Sequence, residues 1–434
     1  MSALLSKYHH LVDATPGLRW QGKVRQVTGG LLESEGPPCC LGECCEARDS
    51  AGQVYSGEVV GFRGNSVLMM PLEKPSGIRF GDPVYALGVR PHVGVGEELL
   101  GRVIDAEGNP IDGGGRMVLP ERHPLDRAAP GALERVPIRD PLGCGIRAID
   151  AFVTCGRGQR VGIFGGSGVG KSTLIGMMAR GTSADLTVLG LIGERGREVN
   201  DFLEVLGHEG RARSVVVVST SDQSPLLRIR AALTATAAAE YFCQAGKNVL
   251  LVVDSLTRFA MAQREIGLAA GEPPTAKGYT PSVFSLLSRL VERVGRLSHG
   301  SITAFYTVLM EGDDLQDPLV DAVRSLLDGH IVLDRALAAQ GHYPPIAILD
   351  CLSRLMPAVV SPEHLAQAYQ LRGLLAAYRR SEDLIRIGAY NRGSDPQLDR
   401  AIALLPQLDG FLRQKPDEVS SMTGTLDRFL ALGG

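Results

Sequence analysis

The run Gly165-Gly166-Ser167-Gly168-Val169-Gly170-Lys171-Ser172 has the residue types and spacing of a phosphate cradle. Its glycines let the backbone turn close to an anion, so that successive N–H groups point inward. A helix starting near Lys171 aims the positive end of its dipole at the same place. The Lys171 ammonium reaches the β- and γ-phosphates of a nucleotide, and the Ser172 hydroxyl is a Mg2+ ligand. These eight residues and the following Thr173 are the candidate nucleotide-binding residues.

Two carboxylates stand where such a loop needs them. The apolar run Asn248-Val249-Leu250-Leu251-Val252-Val253 ends in Asp254. An acid ending a buried strand either holds the Mg2+ shell or caps the next helix. Beside a phosphate loop, the metal role is favoured. The run Leu189-Gly190-Leu191-Ile192-Gly193 leads to Glu194. In an open parallel sheet ligands sit beyond the carboxyl ends of the strands, where a carboxylate orients or deprotonates water. On spacing alone Glu194 has a second reading, a solvated ion cluster with Arg195 and Arg197.

The elements that must position these groups follow from pattern. Strands are expected at 159–164, 187–193, 214–219, 248–254 and 301–310, with helices at 226–244 and 256–270 between them. This alternation predicts an α/β core, a parallel sheet covered by helices. Before it, short β-like segments at 23–27, 53–61, 66–71 and 83–87, punctuated about every ten residues, predict a small β-barrel or sandwich. After residue 357 the pattern turns helical, at 362–379, 382–389, 396–414 and 417–431. The expected organisation is an amphipathic helix at 1–17, a barrel at 18–90, a phosphate-loop domain at 91–360 and a helical domain at 361–434. Leu4, Leu5, Tyr8, Leu11 and Val12 form one face of the first helix, which either docks on its own protein or binds a partner.

Composition excludes other classes. The 434 residues are 44% hydrophobic and 21% charged, with net charge −3, an ordinary globular balance without a basic excess for nucleic acid. No apolar run nears the ~18 residues of a membrane span, and the N-terminus lacks a secretory pattern, so a cytoplasmic location is expected. Cys144, Cys155, Cys243 and Cys351 read as buried thiols. The doublets Cys39-Cys40 and Cys44-Cys45 crowd four thiols together, but strand alternation sends adjacent members to opposite faces, which disfavours a shared metal ion.

The phosphate loop, followed by Ile192-Gly193-Glu194-Arg195-Gly196-Arg197-Glu198-Val199, resembles the catalytic subunits of rotary ATP synthases. It is still more similar to the homohexameric protein-export ATPases of bacterial type III secretion. The resemblance runs on through Asp254-Ser255-Leu256-Thr257-Arg258-Phe259, Asp328-Gly329-His330-Ile331-Val332-Leu333 and His342-Tyr343-Pro344, covering residues from about 90 to 415. The segment after Asp254, with Ala262-Gln263-Arg264-Glu265-Ile266-Gly267-Leu268, leans to the flagellar branch.

The resemblance implies a RecA-like fold and hydrolysis of Mg·ATP, with Lys171, Glu194 as catalytic glutamate, Arg195 beside it, Tyr343 stacked on adenine, and Arg354 as an arginine finger reaching the next subunit's nucleotide. It implies a homohexamer with a stalk-like protein in its pore and a coiled-coil regulator on the amino-terminal helix. Export-gate membrane proteins, export substrates and chaperones complete the implied partners, at the inner face of the cytoplasmic membrane. A second adenine wall is not assigned; Phe411 is the candidate. Thr280 and Leu297-Ser298-His299 depart from the export pattern in loops expected near the pore.

Other readings are an injectisome ATPase, a rotary synthase subunit, a hexameric RNA helicase and a non-catalytic ring subunit. The short helical C-terminus disfavours the synthase, and Glu194 disfavours the non-catalytic subunit. The helicase needs basic and aromatic residues in its barrel, yet residues 18–89 carry one more acid than base and no aromatic cluster.

Overall fold

The computed structural model describes residues 20–310, 312 and 317–432. The expected helix at 1–17 lies outside them.

Six antiparallel strands close a barrel in the order Gln21–Thr28, Leu31–Glu35, Ser66–Pro71, Val54–Arg63, Cys44–Arg48 and Pro83–Ala86. Alternation fills its interior with Val24, Leu32, Cys45, Ala47, Val59, Met69 and Val84. Cys44 faces the other way, its sulfur 3.9 Å from Arg230 of the central domain. Leu31, Leu68 and Met70, on the outer face, join the main core. Arg230 reaches across to Glu58 of the barrel and lies 3.2 Å from Glu107.

The central sheet has eight strands, in the order Leu352–Ser353, Gly329–Val332, Arg160–Gly165, Ser301–Leu309, Asn248–Asp254, Leu186–Glu194, Ser214–Thr220 and Val103–Ile104. All pairs are parallel except the Leu352–Ser353 edge. The long central strands are buried almost throughout, as uninterrupted runs such as Val215-Val216-Val217-Val218 require. Helix Pro225–Gln244, capped by the Ser224 hydroxyl, approaches this sheet closely. Its buried alanines allow that approach: a Cβ on Gly190 of the sheet would stand only 3.1 Å from that of Ala235.

Between the barrel and the phosphate-loop strand, His92–Val95 pairs antiparallel with Glu121–Pro124. In the C-terminal region, one helix spans Pro362–Arg386, so the expected break near residue 380 is absent and the helix expected at 382–389 is its last turn. At the expected break, exposed Arg380 and half-buried Ser381 simply continue the helix. Helix Pro396–Leu412 follows, then Met422–Ala431, which starts five residues later than expected and is capped by Ser421.

Candidate nucleotide site

Strand Arg160–Gly165 runs into the glycine loop, and helix Lys171–Gly181 begins at the lysine. Gly168 and Gly170 take φ of +76° and +91°, which side chains with a Cβ rarely adopt. Val169 is buried and pins the loop from beneath, while Ser167, Gly168 and Ser172 face solvent and Thr173 is half-buried. The buried Lys171 ammonium donates to the carbonyls of Gly165 at 2.9 Å and Gly166 at 2.7 Å.

Asp254 ends the strand next but one to the strand that leads into the loop. Parallel pairing of Val253 with Tyr306 sets Thr307 beside Asp254, and the Thr307 hydroxyl donates to its carboxylate. Burial pushes the Asp254 carboxyl up, opposed by that hydroxyl and by the Lys171 charge. Ser255 caps helix Leu256–Ala270 by accepting from the Arg258 N–H at 3.3 Å, so helix capping falls to the serine and Asp254 is left for the loop.

Glu194 ends the strand directly beside that of Asp254. The register to Ser214–Thr220 slips between Ile192 and Glu194, where Gly193 has φ +70°. This bulge re-aims the carboxylate. Glu194 hydrogen-bonds Glu198, in the first turn of helix Gly196–Ala212. Burial, then that bond and the Asp254 charge, push its carboxyl up to about 8, whereas the same bond holds Glu198 down. Glu194 is thus the protonated partner and Glu198 the charged one. Arg195 is exposed, 3.9 Å from Glu198, and Arg197 pairs with Asp201 at 3.7 Å. The ion cluster therefore exists, but it is centred on Glu198 and Asp201 rather than on Glu194.

Sequence reasoning missed three groups here: Glu198, Arg258 and Thr307. The Arg258 charge acts on both Glu194 and Asp254, and its buried Nε has no hydrogen-bond partner among the described residues. Its side chain stem lies against Gly193. Spacing hints at Arg258, one helical turn after Asp254; Thr307 is legible only from strand register.

Tyr343 meets the loop from another side. Its ring carbons lie 3.8 and 4.0 Å from where a Cβ on Gly170 would be, and the residue is 47% exposed. Phe411 is not a second wall. It is 3% exposed, its ring 5.7 Å from that of Phe429 in the core between the domains. The residue that adjoins Tyr343 is Gln414, whose N–H donates to the Tyr343 carbonyl at 2.9 Å. The segment around it is anchored by Arg147, 2% exposed, which donates to the Phe411 carbonyl at 2.8 Å, to the Arg413 carbonyl and to Glu418.

Arg354 stands apart from this cluster. Its N–H donates to the Asp328 carbonyl at 2.9 Å, and the Asp328 N–H donates to the Arg160 carbonyl at 2.9 Å. Arg160 begins the strand that Gly165 ends, so five residues, roughly 16 Å at strand rise, separate the backbone of Arg354 from the loop of its own chain along the sheet. The arginine is exposed there.

The Ser172 hydroxyl and Asp254 carboxylate form a hard oxygen donor set of the kind Mg2+ takes. Among the described residues no helix is long and apolar enough to cross a membrane.

Family comparison agrees with this geometry. The nucleotide-binding domain of the ATP synthase alpha/beta family matches residues 145–353, the beta-barrel domain of that family 24–88, and the T3SS EscN ATPase C-terminal domain 360–431. The flagellum-specific ATP synthase of Bacillus subtilis (strain 168) is 51% identical over 429 residues, 98% of this chain and 97% of that one. The SPI-2 type 3 secretion system ATPase of Salmonella typhimurium is 52% identical over 404 residues, 92% of each. The assembled ATPase EscN from the enteropathogenic E. coli type III secretion system superimposes with a TM-score of 0.91 at 45% identity, covering 95% of this chain and all of that one. The chain belongs to the ATP synthase alpha/beta family, among its flagellum-specific ATP synthases and type 3 secretion system ATPases.

Proposed function

We propose that this chain is the ATP-hydrolysing motor subunit that energises protein export through the flagellar type III apparatus, working as a ring of six copies. The observation that carries the reading is the division of the site. Lys171, Asp254 and Glu194 gather at the carboxyl ends of the strands, while Arg354 sits toward the other end, too far along its own sheet to reach its own loop. A neighbouring copy supplies it instead.

In this reading the glycine loop and Lys171 hold the β- and γ-phosphates, and Tyr343 stacks on adenine. Ser172 and Asp254 hold Mg2+, which when bound neutralises charge on the phosphates. Glu194, once it has released its proton, accepts one from the attacking water. Arg258 steadies the carboxylates, and Arg195 guards the mouth. The neighbour's Arg354 stabilises charge that grows on the γ-phosphate in the transition state.

EscN has also been solved in complex with its central stalk EscO, which supports a stalk-like partner in the pore here. A coiled-coil regulator on residues 1–17, export-gate membrane proteins, and export substrates with their chaperones complete the proposed partners, at the inner face of the cytoplasmic membrane.

The 52% identity to the SPI-2 enzyme favours a second reading, an injectisome ATPase. Complementation separates the two. In strains lacking either native ATPase, this chain should restore motility and leave effector secretion absent; the reverse pattern would establish the second reading. Lys171→Ala should abolish Mg-dependent ATP hydrolysis, and hydrolysis at the parent rate would overturn the site.

A further inference from the structure

Tyr343 is half-exposed, so its ring is placed mainly by the backbone that carries it. That backbone is held from the C-terminal helical domain at three successive residues. The Gly341 carbonyl accepts from an Arg413 guanidinium nitrogen at 2.9 Å. The His342 ring nitrogen Nδ1 lies 2.9 Å from Asp409 Oδ1. The Tyr343 carbonyl accepts from the Gln414 N–H at 2.9 Å. Asp409 joins the first two, since its other oxygen accepts from Arg413 Nε at 2.7 Å.

A carboxylate only accepts hydrogen bonds, so His342 Nδ1 carries the proton and donates it. His342 is 6% exposed, and a side chain so buried locks the direction in which the next residue leaves. The His342 N–H also donates to the Leu337 carbonyl at 3.0 Å, fixing the other side of the turn. Asp409 sits in the last turn of helix Pro396–Leu412, and the segment that follows is gripped by Arg147 from the nucleotide domain. The tyrosine over the phosphate loop is thus held by one domain while the loop belongs to the other.

We propose that His342, through Asp409, is a positioning residue for nucleotide binding: it lets the C-terminal helical domain set how firmly Tyr343 is presented to the base. The inference rests on the reading that Tyr343 stacks on adenine. It assigns a use to the junction of the two domains that the hydrolytic groups do not require. A shift of helix Pro396–Leu412 would change nucleotide affinity without touching Lys171, Glu194 or Asp254.

The experiment is a double-mutant cycle on the full-length protein, with KM and kcat for ATP and equilibrium binding of a non-hydrolysable ATP analogue. His342→Ala should raise KM and the analogue's Kd about tenfold, the scale of one hydrogen bond to a charged group, and leave kcat within about twofold. Asp409→Ala should do the same. His342→Asn, whose amide nitrogen can stand where Nδ1 does, should restore most of the affinity. In a Tyr343→Ala background, His342→Ala should add nothing, because the ring it positions is gone. Thermal unfolding of each variant shows whether it is folded. A folded His342→Ala protein with parent affinity, or one whose kcat falls while KM stays, would overturn the assignment. So would equal effects of His342→Ala with and without Tyr343. If Tyr343→Ala itself left affinity unchanged, the stacking reading would fall first and the positioning role with it.

Discussion

Glu194 and Glu198 share a proton: the carboxyl that ends a central strand is hydrogen-bonded to a carboxylate one helical turn into the next element. Each makes the other's charge state. Burial, with the hydrogen bond to Glu198, keeps the proton on Glu194 up to about pH 8.

A general base must be deprotonated, and kcat/KM reports the free enzyme. The pH profile of kcat/KM should therefore rise through neutrality with its midpoint near 8 and level off only above that. Glu198→Gln removes the charge that opposes ionisation of Glu194, so its rising limb should move to lower pH. An unmoved limb would show that Glu198 does not tune Glu194. Glu194→Gln should keep nucleotide binding and lose at least ~10^2 in kcat.

Gly193 gives that carboxylate its direction. An alanine there would be strained at φ +70°, and its Cβ would stand 3.0 Å from that of Arg258. Gly193→Ala should lower kcat about tenfold or more, a cost of ~1–3 kcal/mol for strained backbone. Adding Arg258→Ala would relieve neither the contact nor the strain, because alanine keeps the Cβ that stands 3.0 Å away and the backbone is unchanged. Steady-state kinetics at saturating ATP, with thermal unfolding as a control, checks this; parent kcat in Gly193→Ala would refute the bulge as an aiming device.

Mixing tests the shared site. In the proposed ring, Arg354→Ala chains keep the phosphate loop and Glu194, and Lys171→Ala chains keep Arg354. Where the second donates to the first, one complete site forms, so mixed samples should regain activity that neither shows alone. A finger is worth ~10^3–10^5 in rate, so a few restored sites are visible. Absence of recovery in demonstrated mixed rings would place Arg354 in its own chain's chemistry, or require sites to fire in unbroken sequence.

Arg147 predicts how the C-terminal segment comes loose. Arg147→Met abandons the Phe411 and Arg413 carbonyls and the Glu418 carboxylate. Stability should fall by about 1–3 kcal/mol, the cost of hydrogen bonds left unmet when the buried guanidinium is removed from a half-exposed Glu418 and two carbonyls. Limited proteolysis should cut near residues 413–421 first, and mass spectrometry of the fragments locates the cut.

The sequence made some parts of this molecule legible and hid others for physical reasons. Asn248–Asp254 and Leu256–Ala270 were readable to the residue, because an apolar run and a capped amphipathic period announce their own ends. Leu352–Ser353 and Val103–Ile104 were not, since two residues carry no period. The phosphate loop is contiguous and could be read directly. Thr307 depends on register across two strands, and Phe411 on a partner ring 18 residues later. The sequence pattern suggested a break at Arg380-Ser381, yet only packing could have told a continuing turn from a stop.

In the proposed ring, the displacement of Arg354 from its own loop gives each copy a front and a back. Contacts between unlike faces are head-to-tail, and they close only when the turn from one copy to the next divides a full circle. A substitution that altered this turn without weakening the contact would leave an open spiral with one unfinished site at each growing end, and polymer length would replace ring number as the measure of assembly.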